Sequence, residues 1–73
     1  MKLSFTYHAQ SQALARDITE SMVAGVIRKP DSTGVGEGGA TLYRRKFEDG
    51  ILEVVCKKGR HKNEYLILTM YYL

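Results

Sequence analysis

Long apolar runs are missing from this sequence. No stretch approaches the ~18 to 20 consecutive apolar residues of a membrane-spanning helix, and the opening MKLSFTYHAQ holds no hydrophobic segment of the signal-sequence kind. A cytoplasmic location without membrane contact is the expectation. Cysteine is nearly absent too. A single Cys56 cannot form an internal disulfide, which excludes a stapled secreted scaffold and fits a reducing compartment. With no histidines at ligand spacing beside it, Cys56 reads as a core residue, and no metal or other cofactor is expected. The sequence has neither a Ser, His and Asp set spaced for a nucleophile nor a pair of carboxylates suited to a cleft. Internal repeats are likewise absent.

What is present describes one small domain over residues 1–73, with 44% hydrophobic and 26% charged residues, an ordinary globular balance. Its centre is the stretch from Thr41 to Tyr72, which reads as three antiparallel strands. Asp49 and Gly50 form a two-residue turn signal between TLYRRKFE and ILEVVCKK. That turn sets Phe47 against Leu52, Lys46 against Glu53, Arg44 against Val55 and Tyr43 against Cys56. A second connection, Gly59 to Asn63, brings Leu66, Leu68 and Met70 alongside Cys56, Val54 and Leu52 on an apolar face. The opposite face then carries Arg44, Lys46, Glu53, Lys57, Tyr65, Ile67, Thr69 and Tyr71. Arg45 falls on the apolar face, where a bulge or a place beyond the helices' cover would relieve it.

Ahead of this meander, KLSFT alternates as a short strand, and HAQSQALARD carries a narrow stripe of Ala9 and Ala13, with Leu14 as a further candidate, on a short helix. Thr19 is a suitable N-cap for a second helix with Met22, Val23, Val26 and Ile27 on its apolar side, stopped by Pro30. Residues 31–40 hold four of the seven glycines and read as a flexible loop. Gly34, Gly36 and Gly39 match G-x-G-x-x-G in letters, but the order helix, loop, strand is wrong for a dinucleotide site. The expected fold class is therefore α+β: a short N-terminal strand, two helices, then a three-stranded antiparallel meander with the helices packed on one sheet face.

The net charge of +3 is unevenly placed. Residues 1–39 carry four basic and four acidic side chains, and residues 40–73 carry seven basic and four acidic. On the open face, Arg44, Lys46 and Lys57 are suited to phosphates and Tyr65 and Tyr71 to base stacking, with Arg60 and His61 in the basic connection KKGRHKN. The aliphatic groups of the same face suit a second copy of the chain or another protein equally well. His8 and His61 are the side chains able to transfer protons near neutral pH.

YHAQSQALAR, DITESMV, RKPD and the closing LILTMYYL together resemble a small bacterial family that is similar to the RelE, ParE and BrnT group of toxins, and the likeness covers essentially the whole chain. This resemblance implies a short sheet with helices on one face, RNA as substrate, cleavage by ribose 2′-hydroxyl attack, and control by an antitoxin-like partner. Carried onto matching positions, it implies proton transfer at His8 and phosphate binding at Arg16, Arg44 and Lys57. Gln12 departs from the family pattern, which places an arginine one turn after the histidine. A non-catalytic interaction module, pairing with itself or with an antitoxin-like protein, is the rival expectation.

Overall fold

The computed structural model describes all 73 residues. In chain order it contains β1 (Lys2–Phe5), α1 (Tyr7–Arg16), α2 (Glu20–Arg28), β2 (Ser32–Val35), β3 (Thr41–Phe47), β4 (Gly50–Lys58) and β5 (Glu64–Tyr72). The strands form one sheet in the order β1-β5-β4-β3-β2, with β1 parallel to β5 and all other neighbours antiparallel. One face is covered: α1 packs on β5 and β1, and α2 on β3 and β4. The other face is bare. No helix is long and apolar enough to cross a membrane.

Local chemistry sets the helix ends. Thr19 Oγ1 accepts from the Met22 amide at 3.1 Å, and Glu20 lies in the first turn of α2. Lys29 leaves helical geometry directly before Pro30, as the proline ring demands. Thr6 has a larger task. Its hydroxyl caps α1 by accepting from Ala9 N at 3.1 Å and donates to the Leu68 carbonyl at 3.0 Å, while its amide donates to the Ile67 carbonyl. One threonine thus ties the start of α1 to the middle of β5.

The core lies between the helices and β4. Leu52, Val54 and Cys56 project from β4 towards Val23, Val26 and Ile27 of α2 and Ala9 of α1, flanked by Ile67 and Met70 of β5. Full burial contributes roughly 1.5 to 3 kcal/mol for each large aliphatic side chain. Cys56 belongs to this set, and burial pushes its thiol up to about 11. Arg45 does fall on the covered face. Its Nη1 donates to the Gly25 carbonyl at 3.2 Å and its guanidinium stands 5.7 Å from the Phe47 ring centre, so the charge closes the end of α2 instead of entering the core.

Three expectations are corrected. The sheet is a five-stranded mixed sheet, not a three-stranded meander beside a short N-terminal strand. Part of the glycine-rich segment is β2, paired antiparallel with β3, and the remainder makes a single 3-10 turn at Glu37–Gly39. Gly34 lowers the strand propensity of STGV, and the strand is held by its ladder to β3.

The register of the first hairpin is also corrected. Phe47 pairs with Gly50 across a Glu48–Asp49 turn, which slides β3 by two residues and sets Arg44 opposite Glu53, Lys46 opposite Ile51 and Tyr43 opposite Val54. A slip of two preserves the faces, since side chains alternate with period two. The third correction changes a face. In β5 the pairing runs Val55↔Thr69 and then Cys56↔Ile67, leaving Leu68 as an extra residue. This bulge inverts the alternation, so Ile67 is buried and Tyr65 packs against the core, while Leu66 turns outward.

Candidate nucleic-acid interface

The bare face is organised by Glu53. Although it projects from β4 away from the helices, this carboxylate is only 4% exposed, because Arg44 from β3 and Tyr71 from β5 fold over it. Arg44 Nε donates at 2.6 Å and the Tyr71 hydroxyl donates to the other oxygen. That hydrogen bond to a carboxylate, more than burial, raises the Tyr71 pKa above its ordinary value. Arg44 and Tyr71 are both positioned on the face as expected, but the Arg44 Nε and the Tyr71 hydroxyl are committed to Glu53. Leu42 and Val55 are half-buried there, and Ile51 and Leu66 are exposed.

Free positive charge is concentrated at one end of the sheet. Lys57 and Lys58 close β4, and Arg60, His61 and Lys62 follow in the connection to β5; all five are exposed. The single acid of this loop is used on the loop itself. Glu64 Oε1 accepts from the Arg60 amide at 3.0 Å, the Gly59 amide donates to the Glu64 carbonyl at 2.7 Å, and Glu64 Oε2 lies 4.0 Å from Lys2 Nζ. A methyl group at Gly59 would run into the Glu64 carboxylate, so glycine is what lets this side chain fold under the turn. Asn63, in left-handed conformation at φ 64°, completes the reversal and its carbonyl accepts from the Lys2 amide at 2.8 Å. Lys57, Lys58, Arg60 and Lys62 take part in no ion pair, since the two pairs in the molecule are Lys2–Glu64 and Arg44–Glu53. At the other end of the sheet, Lys46 is exposed beside the acidic Glu48–Asp49 turn.

The remaining expected site residues are dispersed. Tyr65 lies on the covered face and offers no ring to a ligand on the bare one. His8 and Arg16 are exposed on α1, in the layer across the sheet from Lys57, which has the opposite parity to buried Cys56. Eight residues of helix also separate His8 from Arg16, roughly 12 Å at 1.5 Å per residue. The structure therefore does not bring His8, Arg16 and Lys57 to one phosphate. Sequence reasoning missed Glu53 as an anchor and undervalued Lys58 and Lys62. The signal for the latter was the run KKGRHK itself, with five cationic or titratable groups in six residues.

No protein-family model matches the chain, and neither a curated protein nor a solved structure matches it.

Proposed function

We propose that this chain is a toxin-type RNA-binding protein that holds single-stranded RNA at the basic end of its sheet, without a self-contained nuclease centre, and is controlled by an antitoxin-like protein. The observation that carries the reading is the set of four exposed, unpaired cations, Lys57, Lys58, Arg60 and Lys62, in six consecutive residues. Holding like charges together unneutralised opposes folding, and a polyanion relieves that repulsion on binding. The leucine and tyrosine side chains along β5 continue from this end across the bare face, with Leu66 exposed and Tyr71 half-buried.

Fluorescence anisotropy with a labelled single-stranded RNA tests this. Four phosphate contacts give a slope of about −2.8 in log affinity against log salt, at roughly −0.7 per contact on a single strand. Lys57→Ala or Arg60→Ala should each flatten the slope by about 0.7, and Arg44→Ala by much less, because its Nε is held by Glu53. A salt-independent affinity, or equal effects at Arg44 and Arg60, would overturn the assignment. His8→Ala should leave RNA affinity unchanged. Exposed Ile51 and Leu66 favour a second reading, in which a protein covers the bare face. Salt-insensitive association with a protein, abolished by Leu66→Asp, would select it.

A further inference from the structure

The outer edge of β2 has its own chemistry. In the ladder with β3, the Gly36 amide donates to the Ala40 carbonyl at 2.8 Å. Along the register Thr33↔Tyr43, Gly34↔Leu42, Val35↔Thr41, this parity turns the backbone groups of Gly34 inward and those of Thr33 and Val35 outward. Two N–H donors and two C=O acceptors therefore stand unpaired on one short edge. Natural sheets blunt such edges with charge, proline, bulges, cover or brevity, and of these β2 has only brevity. The opposite edge, β1, carries Lys2 with its side chain 77% exposed. The four residues of β2, STGV, contain no charge, no proline and no bulge, and Val35 is 89% exposed.

We infer that β2 is a self-pairing edge, which a second copy of this chain extends with its own β2 in antiparallel orientation to form a ten-stranded sheet. A two-fold axis through Gly34 sets Thr33 opposite Val35 of the second copy and Val35 opposite its Thr33. Each of these pairs exchanges both N–H···O bonds, so every outward donor and acceptor of both copies is satisfied. At the axis, glycine faces glycine in the unbonded type of pair, where Cα atoms approach to about 4.5 Å and no side chain intervenes. Charge also favours this occupant. The rotation lays the basic end of each copy alongside the end that carries Glu48 and Asp49 in the other, opposing the two charge dipoles.

The association is weak for two reasons. A four-residue edge buries less than the ~1,200 Å² at the lower bound of stable interfaces, and the same rotation brings Asp31 towards Glu37 of the second copy. Dimer should therefore become populated at roughly 0.1 to 1 mM. This inference is independent of the RNA reading.

Sedimentation equilibrium from about 10 µM to 1 mM protein tests it. Wild type should rise from 8.3 kDa towards twice that mass, the amides of Thr33 and Val35 should exchange more slowly as concentration rises, and Glu37→Gln should shift dimerisation to lower concentration. Val35→Pro should remain monomeric with an unchanged melting curve, because the Val35 N–H faces outward and the monomer's ladder does not use it. Should the proline variant fail to fold, Val35→Lys gives the same readout through like-charge repulsion at the axis. A constant 8.3 kDa over the whole range overturns the inference. So does dimerisation that survives both Val35 changes, as it would if copies met through the exposed Tyr7 and Leu14 of α1.

Discussion

Arg44→Ala is the most informative single change to this fold, because it separates a committed charge from a free one. It removes the guanidinium that donates at 2.6 Å to a carboxylate only 4% exposed. Breaking a buried pair by deleting one partner typically costs about 3 to 5 kcal/mol. Two features reduce that figure. The Arg44 side chain is 32% exposed, so its removal admits water to Glu53, and the Tyr71 hydroxyl still donates to the second oxygen. About 2 kcal/mol is the resulting expectation, within a total stability of roughly 4 to 11 kcal/mol for a chain of this length. At about 4 to 8 °C per kcal/mol, the midpoint of thermal unfolding should fall by roughly 8 to 16 °C. In a Glu53→Leu background the same Arg44→Ala change should cost less than about 0.5 kcal/mol, since no buried charge is left behind. Lys46→Ala is the control, being exposed and opposite Ile51; it should stay within about 0.5 kcal/mol of wild type. Urea denaturation of the four proteins of the cycle and of Lys46→Ala, followed by circular dichroism, measures these costs. Equal costs at Lys46 and Arg44 would refute the reasoning, because they would place Lys46 beside Glu53.

Ile67→Ala should cost roughly 2 to 5 kcal/mol and Leu68→Ala less than half as much, since Ile67 is fully buried and Leu68 is the half-buried extra residue of the bulge; reversed costs in urea denaturation would deny the bulge. Stability should be level through neutral pH and decline from about pH 9 upwards. The folded state retains the protons of Cys56 and Tyr71 more tightly than the unfolded chain, so stability present below their ordinary values is lost as pH rises through the folded ones. Tyr71→Phe should be less stable at pH 7 yet lose less above pH 10, and parallel profiles for the two proteins would disprove the Tyr71 contribution.

Much of the chain was legible where the signal is local. Thr19, Glu20 and Pro30 bracket α2 through groups within a few residues of one another, and these contacts form wherever the helix lies. The hairpin was harder. Glu48–Asp49 and Asp49–Gly50 both offer turn chemistry, and the observed register is the one that sets Arg44 against Glu53 across the strands. That partner lies outside the turn. β2 was hidden for a related reason: STGV has a weak intrinsic preference, and its order comes from β3, eight or more residues onward for most of its partners. The bulge at Leu68 is supported by Thr6, 62 residues away in sequence, so no window on β5 could display it. The face of Tyr65 was lost with it.

The basic bias of residues 40–73 was legible as composition, but its usable part is decided by carboxylates and carbonyls. Of the seven cations, Arg45 is spent on the Gly25 carbonyl and Arg44 on Glu53, and Lys46 stands next to Glu48 and Asp49. Lys46 is unpaired too but stands alone at that end, whereas Lys57, Lys58, Arg60 and Lys62 are unpaired and together. Glu64 could have neutralised one, but its carboxylate is drawn under the turn by the Arg60 amide and the missing side chain of Gly59. A diffuse excess in sequence thus becomes a compact charge in space. The same geometry weighs against catalysis by the residues that resemblance selected, because His8 and Arg16 lie in the helical layer and the free charge lies across the sheet and at its end. General acid or base catalysis needs hydrogen-bond reach of the reacting oxygen, about 2.6 to 3.2 Å, and a phosphate held by Lys57 and Arg60 is out of reach of His8 with the sheet between them.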